Sequence, residues 1–218
     1  MKKQIIIALA LFTLLTTINF QQETSYSKFN LKKKDVENNY LVEDKDIKRL
    51  LAPIYNQNLL FLSLQEIEIA LLQNSFVESF NIKKKYPNTL KIKIYEKKPV
   101  AILLNKETKF YLSEKIDLIK FKNIPNFKNL PYVIGDQQNF KIFYNDLKKI
   151  NFPFNQIKKY TLFKSNRWDI ETINKITIKL PTKNYIEKLK NYLMVKDKTD
   201  FKNYKVFDYR IENQLILK

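Results

Sequence analysis

Two pairs of closely spaced carboxylates, Asp44/Asp46 and Glu66/Glu68, are where a general acid–base mechanism would first be sought in this chain. Neither has the arrangement such chemistry needs. Helical residues two apart point to different faces, which separates Glu66 from Glu68, and Asp44 with Asp46 fits the acidic first turn of a helix. Both pairs read as solvated surface. The chain has no cysteine and no histidine, which removes Cys and His metal ligands, thiol nucleophiles, Ser-His and Cys-His pairs and disulfides. Its single glycine, Gly135, cannot supply the several-glycine turns that bring backbone N–H groups onto phosphate. No catalytic residue, cofactor-binding residue or metal ligand is assigned, no cofactor is expected, and the chain reads as a non-enzyme.

What remains is the chemistry of the main chain. Near the C-terminus Phe207, Tyr209, Ile211, Leu215 and Leu217 share one parity, and Asp208, Arg210, Glu212 and Gln214 share the other. This predicts a last strand over residues 204–217 with one buried face. A terminal strand with no tail to cover it would leave a row of N–H and C=O groups for a partner to pair with; it could equally lie inside the sheet, or be an edge guarded by its charges. In the first reading the partner-binding residues are Tyr204, Phe207, Tyr209, Arg210, Ile211, Glu212 and Leu215. Phe207, Tyr209 and Ile211 would anchor the strand on the core side, while Arg210 and Glu212 would set register and charge complementarity.

The elements that must position such a strand follow from composition and periodicity. With 218 residues, 44% apolar and 14% aromatic, the chain can bury one large or two small cores. Its net charge of +18 is almost all lysine, with Arg49, Arg167 and Arg210 as the only guanidinium groups. Together with many Ile and Asn residues this is what AT-rich coding produces, whereas phosphate or base recognition enriches arginine. The charge therefore reads as a solvated basic surface, and no nucleic-acid partner is expected.

Lys2 and Lys3 precede an uncharged run over residues 5–20 that has no small-residue cleavage pattern. Sixteen helical residues span about 24 Å against a hydrocarbon core of about 30 Å, a deficit that lysine snorkelling and bilayer thinning can relieve. An uncleaved membrane anchor is preferred to a signal peptide. The charge placement puts the N-terminus in the cytoplasm and everything after Gln21 outside.

Beyond the anchor, an imperfectly alternating strand over residues 29–36 leads to two amphipathic helices. The first carries Ile47, Leu50, Leu51 and Ile54 on one face; the second opens with Ser63 and Glu66 at capping-box spacing and carries Leu64, Ile67 and Leu71. Leu90, Ile92 and Ile94 alternate with Lys91, Lys93 and Tyr95, which predicts a half-buried strand. Tyr86-Pro87-Asn88-Thr89 reads as the turn joining it to an antiparallel partner over residues 80–84, with Pro87 presetting φ at the second turn position. From Pro99 onward the pattern is mainly strand, with helices over residues 140–150 and after Thr182.

Residues 86–101, YPNTLKIKIYEKKPVA, resemble the end of the POTRA domain in the bacterial cell-division family FtsQ/DivIB, roughly P-x-T-L-x-I-x-I-x-E-R-x-P-V-A. Pro87, Leu90, Glu96 and Pro99 stand at matching positions, and Lys97 stands where the family usually has arginine. Val36-Glu37-Asn38-Asn39 is similar to the family's V-x-G-N, with Asn38 in the glycine's place; Asn is the next-best residue for positive φ. Leu130 through Gly135 resembles L-P-x-(L/V)-x-G, Trp168 falls on a strand after the turn Ser165-Asn166-Arg167, and Asp208-Tyr209-Arg210 is similar to D-L-R. The family's usual aspartate and glycine are not evident around Ser113 and Asp117.

The resemblance implies an α+β chain: a cytoplasmic stub and transmembrane helix (1–22), a β-α-α-β-β POTRA domain (26–98), and a β-rich domain with a mostly antiparallel sheet and flanking helices (99–218). It further implies a non-enzymatic division scaffold in the cytoplasmic (inner) membrane with periplasmic C-terminal domains. The partners it implies are small bitopic proteins of the FtsB and FtsL kind and other components of the division assembly. A POTRA-bearing outer-membrane component would need a long C-terminal barrel. A basic protein that binds nucleic acid or an anionic surface is the remaining alternative.

Overall fold

A computed structural model of the chain describes residues 2–17, 27–105 and 108–218. Helix α1 (Lys2–Thr17) carries the start of the N-terminal apolar run; residues 18–20 of that run lie outside the described residues. Among the described residues no helix is long and apolar enough to cross a membrane, because sixteen residues rise only about 24 Å. The chain divides into two compact units, Met1–Glu96 and Lys97–Lys218.

The first unit continues with β1 (Lys33–Glu37), α2 (Asp44–Leu50), α3 (Leu64–Leu72), β2 (Val77–Lys85) and β3 (Thr89–Glu96). This is the β-α-α-β-β order anticipated from the sequence. The sheet order is β1-β3-β2, with β1 parallel and β2 antiparallel to β3. Leu90, Ile92 and Ile94 are fully buried, as are Ile47, Ile67 and Leu71 of the two helices. The alternation in β3 and the 3–4 spacing in α3 are thus two halves of one core.

Three local expectations change. Regular strand begins only at Lys33, because residues 27–29 make a single 3-10 turn and Asn30 forms an isolated bridge to Asn58. Ser63 is the N-cap of α3 but its side chain makes no capping bond, and Leu64 is exposed rather than on the buried stripe; as the first helical residue it projects past the end of the core. The Tyr86–Pro87 bond is cis, and the turn spans Tyr86-Pro87-Asn88 between the paired residues Lys85 and Thr89. The carbonyl of Asn88 accepts from the N–H groups of Lys32 and Lys33, which ties the hairpin tip to the start of β1.

The second unit is a mixed sheet of nine strands. In chain order these are β4 (Pro99–Asn105), β5 (Thr108–Ser113), β6 (Leu118–Lys120), β7 (Tyr132–Ile134), β8 (Ile157–Leu162), β9 (Trp168–Thr172), β10 (Thr177–Lys179), β11 (Val206–Asp208) and β12 (Ile216–Leu217). Their spatial order is β12-β11-β10-β9-β8-β7-β4-β5-β6. Five of the eight pairings are antiparallel, in keeping with the mostly antiparallel sheet expected, and the sheet is mixed because β4–β7, β7–β8 and β10–β11 are parallel. Parallel neighbours need crossovers. Helix α4 (Gln137–Lys149) carries the chain from β7 to β8, and α5 (Tyr185–Val195) carries it from β10 to β11.

Both helices lie on one face of this sheet. Phe140, Phe143, Tyr144 and Leu147 of α4 fall at i, i+3, i+4 and i+7 and are buried. Asp136 caps α4 by accepting from the Asn139 N–H at 2.9 Å. Helix α5 is N-capped by Asn184, in the left-handed region, instead of Thr182, and it buries Leu189 and Tyr192. Phe143 stacks on Trp168 with ring centroids 4.8 Å apart and planes 10° apart. Gly135 sits directly behind: a Cβ there would lie 2.9 Å from the Leu162 Cβ and 3.3 Å from the Trp168 ring. The single glycine is therefore required by a close approach of backbone to core.

The register of β3 yields a clean test. Ile92→Asp places an unpaired carboxylate in a fully buried site and should cost about 4 kcal/mol or more, unfolding the first unit. Lys93→Asp, on the solvent face, should barely move the thermal midpoint. Equal thermal shifts from the two substitutions would contradict the register.

Candidate functional site

The C-terminal segment differs most from its sequence reading. Residues 204–217 form a hairpin, not one strand: β11 is followed by a turn over residues 209–215 and by the two-residue β12, which returns antiparallel with Phe207 opposite Leu217 and Asp208 opposite Ile216. Asn213, at φ +58°, supplies the left-handed residue the reversal needs, and the Gln214 N–H donates to the Ile211 carbonyl at 3.3 Å. An asparagine inside an apparently alternating run was the readable signal for a turn.

The candidate residues accordingly separate. Phe207 is buried between β10 and β12, and its ring meets Tyr192 edge-on at 5.0 Å. Tyr209 is also buried, donating its N–H to the Lys179 carbonyl and its hydroxyl to the Asn191 Oδ1 at 2.9 Å each. Neither offers an open edge, so both support the site from behind. Ile211, expected as a core anchor, is exposed in the turn, as are Arg210 and Glu212; Tyr204 is exposed ahead of β11, and Leu215 is half-buried against the core.

Asp208 lies on the face away from the helices, as its parity requires, but it is buried rather than exposed. Arg210 covers it, donating from Nε at 2.8 Å, Nη2 at 2.6 Å and its own N–H at 3.1 Å. The hydrogen bonds from Arg210 hold the Asp208 carboxyl below its ordinary pKa in spite of burial. Asp208 and Arg210 thus make a fork-to-fork pair that locks the exit of β11.

The open side belongs to β12. The Lys218 N–H donates to the Val206 carbonyl at 3.2 Å, and its carbonyl accepts from the N–H groups of Lys205 and Val206 at 2.7 and 2.9 Å. In an antiparallel ladder bonded and non-bonded pairs alternate. Leu217, in the non-bonded position opposite Phe207, therefore turns its N–H and C=O outward. Among the described residues no strand lies beyond β12. Beside the 209–215 turn a cleft of about 650 Å³ is lined by Arg167, Lys183, Lys188 and Arg210 together with Glu187 and Glu212. The sequence reading missed Leu217 as the edge residue because it placed the whole segment in one strand.

The remaining motif residues have local structural roles. Asn38 adopts φ +63°, the conformation its place in the pattern calls for. The Glu96 Oε1 accepts from the N–H groups of Leu41 and Val42 at 2.7 and 2.8 Å, tying the loop after β1 to the end of β3. Pro87 sits at the hairpin tip, Leu90 and Pro99 are buried, and Trp168 packs on Gly135. Among the described residues no group of acidic side chains could hold a metal ion.

A β-α-α-β-β unit followed by a helix-covered mixed sheet, with motif residues spent on turns, close packing and loop ties, defines a protein of the POTRA-bearing class. Residues 29–97 match the FtsQ-type POTRA domain, and residues 103–210 match the C-terminal domain of cell division protein FtsQ/DivIB. The chain is 31% identical over 206 residues to the cell division protein FtsQ of Rickettsia conorii, covering 93% of this chain and 76% of that protein. It is 30% identical over 200 residues to FtsQ of Rickettsia bellii, covering 90% and 74%. The extracytoplasmic domain of the division protein DivIB from Geobacillus stearothermophilus overlays with a TM-score of 0.36 at 17% identity, covering 51% of this chain and 99% of that one. The chain belongs to the FtsQ/DivIB family of non-enzymatic bacterial cell division proteins.

The Asp208–Arg210 pair carries a pH prediction. Because the folded pKa of Asp208 is lowered, the pair's contribution is present above the ordinary carboxylate range, near pH 4, and is lost as pH falls through the lowered value. Arg210→Gln should cost about 1–2 kcal/mol at pH 7, the water-exposed guanidinium keeping it modest. The gap to the unsubstituted chain should narrow in denaturant titrations near pH 3. A gap that stays constant between pH 7 and pH 3 would exclude the ion pair as its source.

Proposed function

We propose that the chain is a membrane-anchored scaffold of the division assembly that captures small bitopic partners of the FtsB and FtsL kind by strand addition at β12, helping to assemble septal peptidoglycan synthesis. The observation that carries this reading is the outward-facing main chain of Leu217 at the end of a nine-stranded sheet. A partner strand laid there would continue the ladder. The cleft beside the 209–215 turn presents Lys183 and Lys188 together with Glu187 and Glu212, its two arginines being paired with Asp208 and Asp169, and so offers that partner polar contacts of both signs. Of the residues first considered, Arg210, Glu212 and Leu215 remain beside the proposed interface, while Phe207 and Tyr209 hold it rigid.

In the same proposal residues 1–22 form the cytoplasmic stub and anchor, residues 26–98 the POTRA domain and residues 99–218 the partner-binding domain. Lys2 and Lys3 favour a cytoplasmic N-terminus, which places both folded units on the outer side of the cytoplasmic membrane.

Proline at position 217 removes an outward N–H and leaves the bonds of Lys218 to β11 in place. Leu217→Pro should lower capture of an FtsB-like partner about tenfold or more in co-purification, whereas Leu217→Ala should retain it. Circular dichroism checks that both variants stay folded. Undiminished capture by a folded Leu217→Pro variant would move the interface elsewhere.

A further inference from the structure

Three segments of the first unit converge at one end of its sheet. The Leu59 N–H donates to the Phe29 carbonyl at 2.8 Å, and Asn30 bridges to Asn58, so residues 27–31 lie along residues 57–62. The tip of the β2–β3 hairpin joins them. Asn88 accepts from Lys32 and Lys33, the Phe29 and Tyr86 rings meet edge-on at 6.3 Å, and the Lys84 ammonium donates to the Leu62 carbonyl at 2.8 Å.

This end is apolar where it should be wet. Phe61 is 79% exposed, Tyr86 53% and Leu60 41%, all on these converging segments, where the Lys84 ammonium also reaches the Leu60 and Leu62 carbonyls. Residues 27–33, 57–62 and 84–89 together contain five lysines and no carboxylate. Exposed aromatic and aliphatic side chains ringed by lysines match the boundary between an anionic headgroup layer and acyl chains. The covalent path points to the same place: ten peptide steps separate Thr17 at the end of α1 from Ser27, a reach of at most about 36 Å.

We infer that this end of the POTRA unit, with Phe61, Leu60 and Tyr86 inserted and Lys28, Lys32 and Lys85 around them, rests on the outer surface of the membrane that holds α1, binding anionic lipid. The inference rests on the anchor proposed above. Its effect would be to seat the POTRA unit on the membrane.

The absence of cysteine allows clean single-site labelling. Full-length chains carrying Phe61→Cys, Gln73→Cys or Leu9→Cys, each labelled with a polarity-sensitive fluorophore, would be reconstituted into vesicles of phosphatidylethanolamine and phosphatidylglycerol containing brominated lipid. Gln73, exposed just past α3, is the control; Leu9, within α1, reports the anchor. The probe at 61 should be quenched and that at 73 should not. Quenching at 61 should fall by about half or more when Lys28, Lys32 and Lys85 are changed to Glu, or when salt is raised to about 1 M. Lack of quenching at 61, or quenching equal to that at 73, overturns the inference whatever position 9 reports. Quenching at 61 without quenching at 9 upholds the lipid contact and refutes the anchor.

Discussion

One row of cross-strand contacts organises the second unit. Phe110, Leu103, Val133, Tyr160, Ile170, Ile178, Phe207 and Leu217 stand opposite one another from strand to strand, across eight of the nine strands. From Leu103 to Phe207 every member is buried beneath α4 and α5. Because side chains alternate faces with period two, a slip of one residue in any strand would turn its member of the row to solvent. The row therefore fixes the register of each strand, β12 included, and with it the outward direction of the Leu217 main chain.

Aromatic packing holds the covering layer in place. Phe143 stacked on Trp168 sets the distance of α4 from the sheet, and the missing Cβ at Gly135 admits the tryptophan. Tyr160, inside the same layer, keeps a hydroxyl with no hydrogen-bond partner among the described residues, and burial raises its pKa. The first unit meets a different difficulty. Lys34 and Lys84 flank Leu90 on the core face of the small sheet. Lys84 reaches out to the Leu62 carbonyl, whereas burial lowers the pKa of Lys34. The long aliphatic stem lets Lys84 cover the core with its charged end at the rim, whereas the Lys34 ammonium is buried with no hydrogen-bond partner among the described residues.

Period-two and helical patterns that extend over a whole element were legible in the sequence. Leu90, Ile92 and Ile94 showed β3 and its buried face, Phe140 to Leu147 lay within an anticipated helix, and Asn38 was assigned its positive φ. Short elements were not legible. Strands of two or three residues, such as β11 and β12, carry too few positions for a period, so a turn at Asn213 passed as continued alternation. Parallel pairing of β10 with β11 depends on contacts between residues far apart in sequence. The roles of Glu96 and Arg210 were hidden for the same reason: the resemblance marked Glu96 as a motif position, but only the folded chain brings its carboxylate to the Leu41 and Val42 N–H groups.

The central claim is that a partner continues the sheet at β12, and hydrogen exchange at single amides addresses it directly. In the free chain the Leu217 N–H, facing outward, should exchange rapidly, while the Lys218 N–H, bonded to Val206, should be protected. With a saturating FtsB-like partner, exchange at Leu217 should slow about tenfold or more and Lys218 should change little. Exchange at Leu217 that remains as fast in the complex as in the free chain would contradict the account.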